Sequence, residues 1–97
     1  MTSLEELRGE LDCLDEQIIV LFEKRMEVCS QVADYKIENG RKVYDRAREQ
    51  EKLLKAASQV EHDYNKKGVQ ELFTLLMSVS RKLQYQKLSA CATTGRL

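Results

Sequence analysis

The stretch Leu4–Glu38, LEELRGELDCLDEQIIVLFEKRMEVCSQVADYKIE, decides the fold. One register runs through it at alternating steps of three and four: Leu4, Leu7, Leu11, Leu14, Ile18, Leu21, Arg25, Val28, Val32, Tyr35. That spacing puts one apolar seam along one α-helix. Ser3 followed by Glu6 has the spacing of a capping box, and Asn39-Gly40 supplies a C-terminal stop. A helix of roughly 35 residues is about 52 Å long, whereas a compact domain of this size has a radius of gyration of about 12–13 Å. The helix therefore overhangs any compact monomer.

Two shorter helices follow. One begins near Asp45, a natural N-cap or first-turn anion, and runs to about Ser58. Residues 61–65 read as a loop. The other runs from about Lys67 to Leu88, with Val69, Leu72, Phe73, Leu76, Val79 and Leu83 as its buried stripe. Residues 1–88 form one domain, and the small, polar tail 89–97 is expected to be flexible. The fold class is all-α, with one long, one short and one medium helix per chain. Helices of about 14 and 22 residues cannot cover the long seam. Leaving it in water forfeits roughly 1.5–3 kcal/mol per large side chain. The expected remedy is an intertwined homodimer in which the long helices pack together.

Composition narrows the function. Of 97 residues, 42% are hydrophobic, 33% charged and 6% aromatic, with no proline and four glycines. This mix suits amphipathic helices, and the regular turn signals of a β-sandwich are missing. Sixteen basic residues balance sixteen acidic ones, so no global field draws the chain to nucleic acid or an anionic membrane. No apolar run approaches the ~20 residues of a membrane span, and the N-terminus lacks the pattern of a secretory signal. Cys13, Cys29 and Cys91 are odd in number and widely spaced, fitting neither a zinc site nor a disulfide framework. The expected setting is the cytoplasm, with no metal and no cofactor.

Polar residues in apolar places mark a candidate site. Arg25 interrupts the seam, and a buried guanidinium needs a partner or an anionic ligand. The plain alternative is a structural ion pair. Lys36 lies eleven residues on and returns to nearly the same azimuth, so Arg25, Cys29, Val32 and Lys36 share a face. Two cations on one partly buried face make sense around an anion. Asp45, Arg48 and Glu49 line one face of the second helix; on spacing alone they read as a surface salt-bridge cluster. Ser80 and Gln84 flank the stripe of the third helix. Arg8 lies about 25 Å before Arg25 along the axis and roughly 100° round it. Within one straight helix it cannot reach the same pocket; alone it reads as a surface charge in the first two turns, and in an antiparallel dimer it could reach the partner's pocket. His62, the single histidine, falls in the loop. The inventory suits holding a small polyanion and stabilising charge without a covalent intermediate.

The ordered set Leu7-Arg8 to Leu14-Asp15, Arg25, Val32 to Lys36, Val43-Tyr44-Asp45-Arg46-Ala47-Arg48-Glu49, Leu72-Phe73, Ser80 and Gln84 resembles the all-helical AroQ class of chorismate mutase. The likeness covers roughly residues 4–88 and departs from the family pattern in the loop after Lys36 and the tail after Leu88. It implies an interlocked homodimer with two identical pockets. It also implies the [3,3] Claisen rearrangement of chorismate to prephenate, on the way to phenylalanine and tyrosine. By the resemblance, Arg25 binds a substrate carboxylate, and Arg8 does so from the other subunit. Lys36 contacts a carboxylate and the ether oxygen, and Gln84 donates to that oxygen from the opposite side. Arg48 orders the carboxylate network, Glu49 accepts from the ring hydroxyl, Asp45 contributes beside it and Ser80 seats a carboxylate. Catalysis would fall chiefly to Lys36, Gln84, Arg25 and Glu49. Two alternatives stand: an isochorismate pyruvate lyase on the same scaffold, and a non-catalytic helical dimerisation or regulatory module.

Overall fold

The computed structural model describes residues 2–93. It contains α1 (Leu4–Glu38), α2 (Arg46–Ser58), a 3-10 turn (Asp63–Asn65) and α3 (Lys66–Thr93). No strand occurs among the described residues, so the chain is all-α with three helices.

Each boundary has a local cause. The Ser3 hydroxyl accepts from the Glu6 amide at 3.1 Å, and Glu5 and Glu6 place negative charge in the first turn of α1, where the helix dipole favours it. At the other end Gly40 takes the left-handed conformation, φ 61°. The Arg41 amide then donates to the Lys36 carbonyl at 2.8 Å, which satisfies one of the helix's last carbonyls and reverses the chain. Asp45 caps α2, its Oδ1 accepting from the Arg48 amide at 3.0 Å. The N-terminus of α3 follows directly from the 3-10 turn, in which the Asn65 amide donates to the His62 carbonyl at 2.9 Å.

Two sequence-based expectations change here. The third helix does not stop at Leu88 but continues to Thr93. Residues 89–92 are Ser-Ala-Cys-Ala, with no glycine or proline to end the helix. The remainder of the expected flexible tail, residues 94–97, lies outside the described residues. The inner face of α3 is also rotated from the predicted stripe. Phe73, Met77, Ser80 and Gln84, spaced four, three and four apart, face inward, while Leu72 is 49% exposed. Met77 takes the buried place that spacing alone assigned to its neighbours.

Pairings across the bundle give the topology. Arg25 reaches Leu76, and Lys87 reaches Ser30 and Asp34, so α1 and α3 run the same way. Glu49 meets Arg81 and Lys52 lies over Phe73, so α2 runs opposite to α3. The Lys87 ammonium clamps α1 to α3, donating to the Ser30 hydroxyl and the Asp34 carboxylate, both at 2.7 Å. The small core contains Ala33, Val43, Ala56 and Met77.

Among the described residues nothing covers the first half of α1. Every residue from Thr2 to Lys24 is exposed, including Leu14, Ile18 and Leu21. The radius of gyration is 17.4 Å and the extents are 62 × 26 × 14 Å, against about 12–13 Å for a compact chain of this length. The overhang deduced from helix length is present, and it carries the apolar seam.

The reversal at Gly40 predicts a stability effect. Gly40→Ala puts a Cβ on a left-handed residue, at a cost of about 1–2 kcal/mol, readable as a lower urea midpoint with an unchanged slope.

Candidate active site

The three helices converge on one cavity of about 320 Å³, at the small end of the range for small-molecule sites. Of the residues singled out in the sequence, Arg25, Lys36, Asp45, Arg48, Glu49, Ser80 and Gln84 all line it. Arg8 does not. It sits on the exposed first half of α1, about 25 Å along the axis from Arg25, and does not reach this chain's own cavity.

From α1, Arg25 and Lys36 enter the cavity three turns apart. Arg25 is half-buried, and Nη1 donates to the Leu76 carbonyl at 3.4 Å and approaches Cys29 Sγ at 3.7 Å. Among the described residues no ion pair involves it; its contacts are to a backbone carbonyl and a thiol. Lys36 Nζ donates to the Val43 carbonyl at 2.7 Å. The reversal at Gly40 makes that contact possible, because it brings residues 41–45 back along the end of α1.

From α3, Ser80 and Gln84 are buried, at 7% and 6% exposure. Gln84 Nε2 donates to Ser80 Oγ at 3.1 Å. An amide nitrogen has two hydrogens, so one remains after this bond. Gln84 Oε1 is buried without a partner, a state that typically costs about 1–3 kcal/mol. A side chain kept in that condition inside a cavity marks a site built for something other than stability.

From α2, Asp45 and Glu49 play different parts. Asp45 is engaged in capping. Glu49 does not pair within its own helix, as the reading of a local salt-bridge cluster supposed, but forms an ion pair with Arg81 of α3. That hydrogen bond raises the Arg81 guanidinium above its ordinary pKa, partly opposed by desolvation. Arg81 also lies over the Tyr44 ring, 5.1 Å from its centroid.

Arg81 and Lys52 are cavity residues that the sequence reading missed. A signal for Arg81 was available. After Glu71 the chain has no acidic residue, yet it carries Arg81, Lys82 and Lys87. Cations on such a helix find carboxylates only on other helices, as Arg81 does with Glu49 and Lys87 with Asp34.

The cavity's charge follows from its lining. Arg25, Lys36, Arg48, Lys52 and Arg81 supply five cations against the two carboxylates of Asp45 and Glu49, an excess of three. In a partly desolvated site that excess favours a small ligand with two negative charges. Among the described residues no group of three or more His, Cys, Asp or Glu could hold a metal ion. No helix among them is long and apolar enough to cross a membrane. His62 stacks on Tyr64 at 5.3 Å between centroids, away from the cavity lining.

Comparison with known proteins agrees with this geometry. Residues 7–85 match the family model described as chorismate mutase type II. Over 49 residues the chain is 45% identical to the T-protein of Haemophilus influenzae (strain ATCC 51907 / DSM 11121 / KW20 / Rd). That alignment covers 50% of this chain and 13% of the T-protein, so the matched segment spans only a small part of that relative. No solved structure gives a significant match.

Proposed function

The chain belongs to the chorismate mutase type II family, and from that premise we propose that it is an isomerase converting chorismate to prephenate, in the biosynthesis of phenylalanine and tyrosine. The observation that carries the reading is the convergence of Arg25, Lys36, Glu49 and Gln84 on one cationic cavity. The rearrangement is unimolecular and needs no nucleophile, redox partner or proton transfer. Its demands are conformational restraint and charge stabilisation, and this lining supplies both.

Arg25 anchors one substrate carboxylate through its planar guanidinium. Lys36 contacts a carboxylate and the ether oxygen, and the free hydrogen of the Gln84 amide donates to that oxygen from the other side. Arg48 orders the carboxylate network and Ser80 helps to seat a carboxylate. Glu49 accepts from the ring hydroxyl, with Asp45 beside it. Holding both carboxylates brings the bond-forming carbons together. The ether bond breaks ahead of full carbon–carbon bonding, so negative charge builds on oxygen. Lys36 and Gln84 then bind the transition state more tightly than the ground state.

The active form is an intertwined homodimer. Two observations support it: the uncovered apolar seam of α1, and an Arg8 too far along the helix to serve its own cavity. Packing the long helices together buries the seam and brings Arg8 to the partner's cavity. Sedimentation is expected to give twice the chain mass, and Ile18→Lys is expected to halve it. A monomeric wild type contradicts the assembly. The free thiols of Cys13 and Cys29 fit a reducing cytoplasm.

The test is direct. Purified protein given chorismate is expected to form prephenate, followed by acid conversion to phenylpyruvate. Pyruvate release from isochorismate without prephenate formation would favour the lyase. Inertness toward both would favour a non-catalytic module.

A further inference from the structure

We infer that Arg81 is a positioning residue: it fixes the Glu49 carboxylate in the orientation that receives the substrate's ring hydroxyl, and so sets the preference for hydroxylated substrate. This rests on the reading of the site given above.

Three observations carry it. Arg81 has no acidic neighbour within its own helix, and its ion pair with Glu49 spans the cavity from α3 to α2. Its guanidinium is held a second time by the Tyr44 ring, 5.1 Å from the centroid. The pair is neither surface nor core, with side-chain exposures of 28% and 20%, so solvent screens it only in part.

Glu49 also has a competing partner. Lys52 lies three residues on along α2, the spacing at which helix side chains meet. Its ammonium instead sits over the Phe73 ring, 5.7 Å from the centroid. Arg81 therefore decides between two arrangements of the carboxylate: one drawn across the cavity, the other folded back along α2. In the first, Nη1 of Arg81 engages Oε1 of Glu49. Oε2 has no hydrogen-bond donor among the described residues and is left as the acceptor for the ligand.

The test compares two substrates: chorismate and the dianionic analogue that lacks the ring hydroxyl. Arg81→Met is expected to raise KM for chorismate on the order of 10-fold, the worth of one hydrogen bond to a charged group. It should change kcat little, because the hydroxyl contact is the same in ground and transition states. With the analogue, KM should rise clearly less than with chorismate, because only the loss of one lining cation is common to the two substrates. Arg81→Lys keeps the charge but not the planar stack, and is expected to recover part of the loss. If Arg81→Met loses its helical circular dichroism, Arg81→Lys carries the same two-substrate comparison, with a smaller loss confined to chorismate. An equal loss on both substrates, or no loss on either, overturns the inference. Wild-type protein without turnover of chorismate overturns both the inference and the reading beneath it, whereas wild-type turnover with unselective Arg81 variants removes the inference alone.

Discussion

Lys36→Ala and Gln84→Ala are each expected to lower turnover on the order of 10²–10³-fold, by analogy with the loss of one donor from an oxyanion site. The effect should fall mainly on kcat, because in the proposed mechanism both groups act on charge that develops only as the ether bond breaks. Fold damage is a weak rival explanation for either variant. Lys36 is half-buried, and its ammonium donates to the Val43 carbonyl at 2.7 Å. Truncation removes that bond, worth about 1 kcal/mol. Gln84 leaves its Oε1 without a partner, so truncation also removes a polar group that the fold does not satisfy. Helix content and oligomeric state should remain as in wild type for both variants. Near-normal turnover in both would remove them from the chemistry.

The second large effect tests the shared pocket. Arg8→Ala and Arg25→Ala are each expected to be nearly inactive as homodimers, since truncating one partner of a desolvated charge pair costs about 2–5 kcal/mol. Mixing the two variants with verified subunit exchange should restore activity. In a heterodimer one cavity receives Arg8 from one chain and Arg25 from the other, while the second cavity lacks both. With random two-fold assembly, half of the dimers carry one intact cavity, so recovery approaches roughly a quarter of wild type. A pocket complete within one chain predicts no recovery. The geometry of α1 sets up the contrast, because Arg8 lies on a rigid helix whose first half stands clear of the rest of its own chain.

Much of this was legible in the sequence because helices report themselves locally. The α1 seam, the Ser3 and Asp45 caps and the Gly40 reversal depend on neighbours within a few residues, and each lies where local chemistry places it. The clustering of Arg25, Lys36, Ser80 and Gln84 was suggested by polar residues standing in apolar registers. Less legible were features set by contacts between helices. The inner face of α3 turns away from Leu72 toward Met77 because the cavity with α1 and α2, rather than the helix's own periodicity, fixes its rotation. Glu49 read as part of a local cluster with Asp45 and Arg48, yet its partner Arg81 lies 32 positions away. Helix spacing shows which residues share a face, but not which face of another helix meets them. The extension of α3 to Thr93 was misjudged for a different reason: small and polar composition suggested fraying, although no residue up to that point terminates a helix.

The most direct measurement is a crystal structure of the protein with a bicyclic dicarboxylate that mimics the pericyclic transition state. The account predicts density for two such molecules per dimer, each within hydrogen-bonding distance of Arg25, Lys36 and Gln84 of one chain and Arg8 of the other. Density elsewhere, with these side chains turned to bulk solvent, would contradict it.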